Sequence, residues 1–222
     1  MITPADQDYK DTKRVKIHGT PLLPMFKELA EWISVRYGVR VLNIILDTIE
    51  PDNRPRLNVV LEWARDERKF RETQLPNFDA TKQREIRDRF ASVAGDSLDG
   101  GTNIERLLVI FSSFEPVARM EANWRVSDDD IEQLMETLSC PDLWKVRRGF
   151  ENVTFFFYTD AQAKANEMSG AGDRFAQAYA GLTAPYDRFG YLTKRPIAVR
   201  LDSKENFDST YKGNWFYYDK DH

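Results

Sequence analysis

The sequence predicts an α+β fold made of two related halves, each a mainly antiparallel sheet with helices packed on one face. Three observations support this fold class. Hydrophobic residues make up 41% of the 222 residues, which supplies the core of a folded chain of this size. Apolar residues recur with the period of a helix in some segments and with that of a strand in others. The tetrapeptide Asp-Arg-Phe-Ala occurs at positions 88–91 and again at 173–176, as expected of a repeated unit.

The first half begins with a predicted helix. Pro24 suits the first turn of that helix, and Gly38 suits its end. The polar segment before it, residues 1–23, is predicted to be flexible. Two apolar runs then flank a turn rich in Pro, Asp and Asn at residues 50–55, which predicts a β-hairpin.

The rest of the first half is predicted to hold a helix, a strand and a second hairpin. The helix starts after Asp79 and ends before a glycine-rich loop. Residues 107–114 are apolar on both faces, which indicates a central strand. Apolar and polar residues then alternate over 118–126, which is typical of a half-buried strand. We therefore predict that the first half spans residues 24–126.

The second half is predicted to span residues 127–222. Its first helix begins at Ser127, because Asp130 three residues later completes a pattern that resembles a capping box. The later predicted elements are a strand, a helical segment interrupted by glycines and two further strands, at residues 153–158, 160–180, 197–201 and 211–218.

The same order of elements, helix, strand, helix and hairpin, is predicted in both halves. The dipeptide Asn-Trp supports this repeat, because it occurs at 123–124 and at 214–215. Each copy is predicted to lie in the second strand of a hairpin. The alternative explanation is chance similarity between short elements.

Composition excludes several classes of protein. Cys140 is the only cysteine, so an intramolecular disulfide cannot form. The 32 Lys and Arg nearly balance the 36 Asp and Glu, so no strong overall charge favours nucleic acid or a membrane surface. The N-terminal segment lacks the apolar core of a signal peptide, and no apolar run is long enough to span a membrane. We therefore expect a cytoplasmic protein that binds neither nucleic acid nor membrane.

Four features are compatible with chemistry, and each has a structural explanation that we prefer. The acidic triplet at 128–130 lies where helix N-termini favour negative charge. The loop with Asp96 and Asp99 fits neither a phosphate loop nor a calcium loop. Cys140 and His18 have no neighbour in sequence that would activate them. We predict no catalytic residue, no metal site and no cofactor, and we favour a protein that is not an enzyme.

Two aromatic segments are the candidate partner-binding surfaces. The first combines rings, a carboxylate and a guanidinium, a composition typical of recognition surfaces. The second has four aromatic residues in succession, so one face of the predicted strand must be covered or exposed. Ordinary core packing is the alternative for both segments. The predicted partner-binding residues are Tyr186, Asp187, Arg188, Tyr191, Trp215 and Tyr217.

The first half also resembles a known family. A strand pair at 41–46 and 57–62, a helix that ends at Phe90 and a hairpin that ends at Asn123 and Trp124 give the order helix, hairpin, helix, hairpin. This order is similar to that of the small YezG-like bacterial immunity proteins. The resemblance implies a protein that neutralises a toxin by binding it, and it identifies no toxin-contacting residue.

These observations together predict a non-catalytic module that binds another protein, in a regulatory role or as an immunity protein. A stoichiometric binder needs a complementary surface and no reactive groups. The first alternative is an enzyme or a small-ligand-binding protein that uses a cleft between the two halves. The second alternative is a structural homo-oligomer.

Overall fold

The computed structural model of the chain describes residues 3–72, 77–95 and 103–221. The acidic loop with Asp96 and Asp99 lies outside these residues. The chain divides into two compact units, Met1–Val117 and Ala118–His222. The division falls before residue 118, whereas the sequence analysis placed it after residue 126.

The first unit contains a three-stranded sheet in the order β1-β2-β3. Strands β1 and β2 are antiparallel, and β2 and β3 are parallel. The helices and strands that begin in this unit are, in chain order, α1 (Gln7–His18), α2 (Pro24–Tyr37), β1 (Val41–Ile49), β2 (Arg54–Leu61), α3 (Ala64–Arg68), α4 (Ala80–Ala94), β3 (Leu108–Ser113) and α5 (Phe114–Trp124).

The second unit contains a three-stranded sheet in the order β4-β5-β6. Strands β4 and β5 are antiparallel, and β5 and β6 are parallel. Its elements after α5 are α6 (Asp128–Leu138), β4 (Leu143–Arg148), β5 (Asn152–Phe157), α7 (Asp160–Met168), α8 (Ala171–Thr183), α9 (Tyr191–Lys194), β6 (Ala198–Ser203), α10 (Lys204–Tyr211) and α11 (Trp215–Asp221).

The two sheets share an irregularity as well as a strand order. The pairing of β1 with β2 shifts by one residue between Val41 and Asn43. The pairing of β4 with β5 shifts in the same way between Leu143 and Lys145. An extra residue at the same point of two hairpins is a specific structural feature, so it supports the similarity of the two units.

The backbone hydrogen bonds that follow each hairpin also correspond. The N–H of Glu62, just after β2, donates to the carbonyl of Arg40 at 2.9 Å. The N–H of Tyr158, just after β5, donates to the carbonyl of Asp142 at 3.1 Å. The carbonyls of Glu62 and Tyr158 in turn accept bonds from N–H groups just after β3 and β6. The predicted α+β fold with two similar halves is confirmed, but each sheet is mixed, with one antiparallel and one parallel pair, and not mainly antiparallel as expected.

The repeated tetrapeptide lies in corresponding helices. Phe90 in α4 and Phe175 in α8 are both fully buried, and each packs in the core of its own unit. The Phe175 ring stacks on Phe155 of β5, with the ring centroids 4.9 Å apart. The tetrapeptide therefore supplies a core phenylalanine to a helix between the second and third strands of each unit.

Helices cover both faces of each sheet, a detail that differs from the expected arrangement on one face. In the first unit, α2 and α4 pack on the face that carries Val59 and Phe111. Helix α1 lies on the opposite face, where Thr12 accepts a hydrogen bond from Asn43 at 3.2 Å. In the second unit, α6 and α8 cover one face, and the helices after β6 contact Phe156 on the other.

The N-terminal segment is the first correction to the element predictions. Residues 1–23 were expected to be flexible, but they contain α1, whose Tyr9 is buried and stacks on Phe114 at 5.1 Å. The sequence did not predict α1, because most of its contacts with the sheet are made by polar residues and no apolar stripe marks the helix.

The predicted strand over 118–126 is also wrong, because residues up to Trp124 belong to α5. Ala118, Arg119 and Met120 follow one another and are all buried, so the alternation in the sequence does not correspond to an exposed and a buried face. The predicted strand over 211–218 is wrong for a similar reason. Tyr211 ends α10, residues 212–214 form the turn, and Trp215 begins α11, where the side chain of Asn214 accepts a hydrogen bond from the Phe216 N–H at 2.9 Å.

Candidate functional site

The first predicted binding segment forms a turn that leads into α9. The Asp187 carboxylate accepts hydrogen bonds from the N–H groups of Tyr191 and Thr193, at 2.8 and 2.9 Å. Tyr191 is buried and Tyr186 packs against the core, whereas Arg188 is exposed. The turn is therefore held by Asp187, and Arg188 is its most accessible predicted residue.

The second predicted binding segment lies in α11. Trp215 stacks on Phe207, with the ring centroids 3.9 Å apart, and it contacts Phe156 at 5.4 Å. Tyr217 points outward and is 57% exposed, next to the exposed Phe216. The helix thus places Trp215 in an aromatic cluster with Trp144, Phe156, Phe207 and Tyr218 and leaves Tyr217 on the surface.

The second unit also contains a cavity that the sequence analysis missed. Its volume is about 550 Å³, and it lies between the β4–β5 hairpin, α5, the start of β6 and the end of α11. Two carboxylates, Glu151 and Asp219, also line it. We call it the arginine cavity, because its lining includes Arg119, Arg147, Arg148, Arg195 and Arg200.

The arginine cavity is a local excess of positive charge in a chain whose net charge is −4. Five guanidinium groups and two carboxylates face or border the same space. Guanidinium groups keep their charge at all physiological pH values. The cavity therefore favours a negatively charged group, although the chain as a whole is negatively charged.

Three of its residues form a straight row across the sheet. Arg147 on β4 pairs with Thr154 on β5, and Thr154 pairs with Arg200 on β6. Adjacent strands are about 4.8 Å apart, so the two arginines begin about 10 Å apart on either side of the threonine. The row lies on the face opposite Val153 and Phe155, which belong to the core against α6 and α8.

Several of these arginines are held in place by other parts of the unit. The Arg147 guanidinium donates to the Asp219 carboxylate, with Nε 3.0 Å from Oδ1, and lies 4.2 Å from the Trp215 ring. Arg148 donates to the Val126 carbonyl and to Asp128.

The three remaining arginines of the cavity differ in accessibility. Arg119 is only 4% exposed and donates to the Pro196 carbonyl at 3.3 Å. Arg195 and Arg200 are exposed. Arg195 forms no ion pair with any residue that the structure describes. The inner arginine is thus fixed by the fold, and the outer ones are accessible to a ligand.

Aromatic side chains form part of the cavity wall. Trp124 and Phe150 are 45% and 56% exposed, and their ring centroids are 6.0 Å apart. Tyr218 lines the floor and donates a hydrogen bond to Asp202 at 2.6 Å. Burial, together with this bond, raises the pKa of Tyr218 well above its usual value, so the phenol stays protonated. The wall therefore offers apolar contact beside the charges.

The arrangement is suited to binding. Arginine presents several N–H donors in a fixed plane that matches carboxylate and phosphate groups. Because its pKa is so high, it does not exchange protons near neutral pH. Among the described residues, no group of three or more His, Cys, Asp and Glu side chains is arranged to hold a metal ion.

Comparison with known proteins gave no relative. No protein family matches the chain, and no curated protein or solved structure is significantly similar to it. Within the described residues, none of the helices has the length and apolar character needed to cross a membrane. The fold and the arginine cavity are therefore the observations on which a function can be proposed.

Proposed function

We propose that this chain is a non-catalytic protein-binding module whose second unit holds an acidic group of its partner in the arginine cavity. The observation that carries the proposal is the row of Arg147, Thr154 and Arg200 inside a cavity with a positive excess. The exposed rings of Trp124 and Phe150 beside this row add the apolar contact that protein interfaces need.

The composition of the cavity agrees with the energetics of protein recognition. Tryptophan, tyrosine and arginine are the residue types that most often dominate binding energy at interfaces. A charged group that enters the cavity meets arginines that the fold already holds, Arg119, Arg147 and Arg148, which need little reorganisation. The same groups attract an acidic partner over distance, which increases the rate of association at low ionic strength.

A narrower proposal is that the partner is a toxin and that the chain is its immunity protein. It rests on the resemblance of the first half to YezG-like immunity proteins, of which the strand pair β1–β2 and helix α4 are present, whereas α5 stands where the second hairpin was expected. A toxin gene beside the gene of this chain would support it, and neutralisation of that toxin on co-expression would test it.

The test of the binding site uses poly-L-glutamate as the probe and isothermal titration calorimetry as the measurement. The variant Arg195→Gln/Arg200→Gln removes the two accessible guanidinium groups. Each charge-assisted contact contributes about 1.5–3 kcal/mol, so we expect the affinity to fall by about tenfold or more. The control variant Arg68→Gln/Arg84→Gln removes two exposed arginines outside the cavity, so it changes the net charge equally. If both variants weaken binding to the same extent, the cavity is not the site.

A small anionic molecule is the second candidate ligand. The cavity volume of about 550 Å³ lies within the range of small-molecule sites. Titration with inorganic phosphate, citrate and ATP distinguishes the two candidates. If one of these binds with micromolar affinity and poly-L-glutamate does not bind, the ligand of the cavity is a small anion and not an acidic group of a protein.

A further inference from the structure

The first unit contains a row that corresponds to the arginine row of the second unit. The shared strand order and the shared irregularity of the hairpins align Arg147, Thr154 and Arg200 with residues of β1, β2 and β3. The corresponding residues, which also pair directly across their sheet, are Ile45, Asn58 and Ile110.

Helix α1 covers this row in the first unit and places a carboxylate on it. The Asn58 side-chain N–H donates to the Asp8 carboxylate at 2.7 Å, and Arg56 donates to the same oxygen at 3.3 Å. Asp8 lies in the first turn of α1. Thr12, one turn further along, contacts Asn43 in the adjacent row. The first turn of a helix thus supplies a negative charge to the central strand.

In the second unit the same face is only partly covered. The next row, Lys145, Phe156 and Asp202, lies under the C-terminal helices, since Tyr218 of α11 contacts both Phe156 and Asp202. One end of the arginine row also contacts α11, because Asp219 accepts from Arg147, while the row lines the cavity. The cavity therefore lies over the row that corresponds to the one that the first turn of α1 covers in the first unit.

The side chains around the open row require more negative charge than those of the first unit. Ile45 and Ile110 flank Asn58, whereas arginines flank Thr154 on both sides. In the first unit Asp8 and Asp47 both accept hydrogen bonds from the Arg56 guanidinium. In the second unit Asp219 accepts from Arg147, and the exposed Arg195 and Arg200 also line the cavity. Two exposed arginines in the cavity favour two or more carboxylates.

We propose that the occupant of the arginine cavity is the acidic first turn of a helix of the partner protein, which lays a carboxylate on Thr154 as Asp8 lies on Asn58. This inference rests on the proposed function and makes it more specific. Acidic residues are favoured in the first turn of helices, so such a segment is a common feature of protein surfaces. The Trp124 and Phe150 rings would then contact the side of that helix.

The test is a selection from a displayed library of peptides of about 15 residues, built on an alanine-rich helical sequence with its first two turns randomised. The native chain is the target. We expect the selected peptides to carry two or more Asp or Glu in the first turn. We also expect the Arg195→Gln/Arg200→Gln variant to bind them about tenfold or more weakly, whereas the Arg68→Gln/Arg84→Gln variant binds them as the native chain does.

A second comparison separates this inference from the proposed function. A proline placed in the middle of the best peptide prevents the helix while keeping its charges. Loss of binding supports the helical occupant. Equal binding of the two peptides overturns the helical occupant and leaves the acidic binding site in place. If the selected peptides carry no acidic residues and poly-L-glutamate does not bind, both proposals are wrong.

Discussion

The aromatic cluster predicts a large difference between two phenylalanines of the second unit. Phe156 is fully buried on β5, in contact with the rings of Trp144, Phe207, Trp215 and Tyr218. Phe216, on α11, is 72% exposed. Replacing each by alanine removes the same atoms from two different environments.

The expected magnitude follows from burial and from the ring contacts. Removing a fully buried phenylalanine side chain leaves a cavity and costs about 3–5 kcal/mol. The Tyr218 ring centroid lies 5.1 Å from that of Phe156. Favourable ring pairs of this kind contribute about 0.5–1.5 kcal/mol each beyond area burial, so we expect Phe156→Ala to lie in the upper part of that range. Phe216→Ala should change the free energy of unfolding by less than about 0.5 kcal/mol.

Urea denaturation followed by circular dichroism measures both effects. Domains of this size are stable by about 5–15 kcal/mol, so the Phe156→Ala transition should move to much lower urea concentration. The Phe216→Ala transition should coincide with that of the native chain. A cost below about 1 kcal/mol for Phe156→Ala, or equal costs for the two variants, would show that the cluster does not hold α10 and α11 on the sheet.

Three further predictions concern single polar groups. Asp8→Asn removes the charged acceptor that β2 uses, so it should cost about 1–3 kcal/mol in urea denaturation, whereas the exposed Asp11→Asn should cost less than about 1 kcal/mol. Hydrogen bonds from backbone N–H groups, chiefly that of Lys82, lower the pKa of Asp79, so its cap on α4 stabilises the fold above about pH 4 and is lost as the pH falls. Asp79→Ala should therefore cost about 1 kcal/mol near neutral pH, a difference that disappears in acid denaturation curves. Because burial raises the pKa of Tyr218, the folded chain keeps a proton that the unfolded chain releases above about pH 10. The native chain should lose stability as the pH rises through that value, and Tyr218→Phe should lose less over the same titration.

Elements with one clear period were predictable from the sequence. Helix α2 begins at Pro24 and is followed by Gly38, as its apolar spacing and end signals predicted. The capping box of Ser127 and Asp130 is present at the start of α6, and the helical segment after Asp160 is divided into α7 and α8. In these segments the local signals and the tertiary structure agree.

The elements that were predicted wrongly or missed have a local sequence pattern that disagrees with their environment in the fold. In α11 the aromatic residues from Trp215 to Tyr218 have high strand propensity, but the helix buries Trp215 and Tyr218 on one side. Strand β4 was missed because it carries Lys145, Arg147 and Arg148 in six residues. Lys145 and Arg147 lie on the face opposite the core, and Arg148 ends the strand on the core face, so only Leu143 and Val146 mark that face as apolar.

The arginine cavity could not be found from the sequence for a topological reason. Arg147 and Arg200 are far apart in the chain, and no motif joins them. They meet only because β5 pairs with an antiparallel neighbour on one side and a parallel neighbour on the other. The sequence shows Arg195 and the pair at 147–148 as charged residues. It does not show that they line one cavity, because that depends on strand pairing.

Helix α1 is attached to the first unit by polar contacts and by one aromatic ring. Its polar contacts with the sheet include Asp8, Thr12 and Lys16, spaced one turn apart, and Lys16 pairs with Glu62 at 2.8 Å. Tyr9 is buried between them and stacks on Phe114, so detachment of the helix would also expose apolar surface. Salt screens partly buried ion pairs only weakly. Each turn of the helix therefore carries its own link to the sheet, and one substitution removes only a part of the attachment.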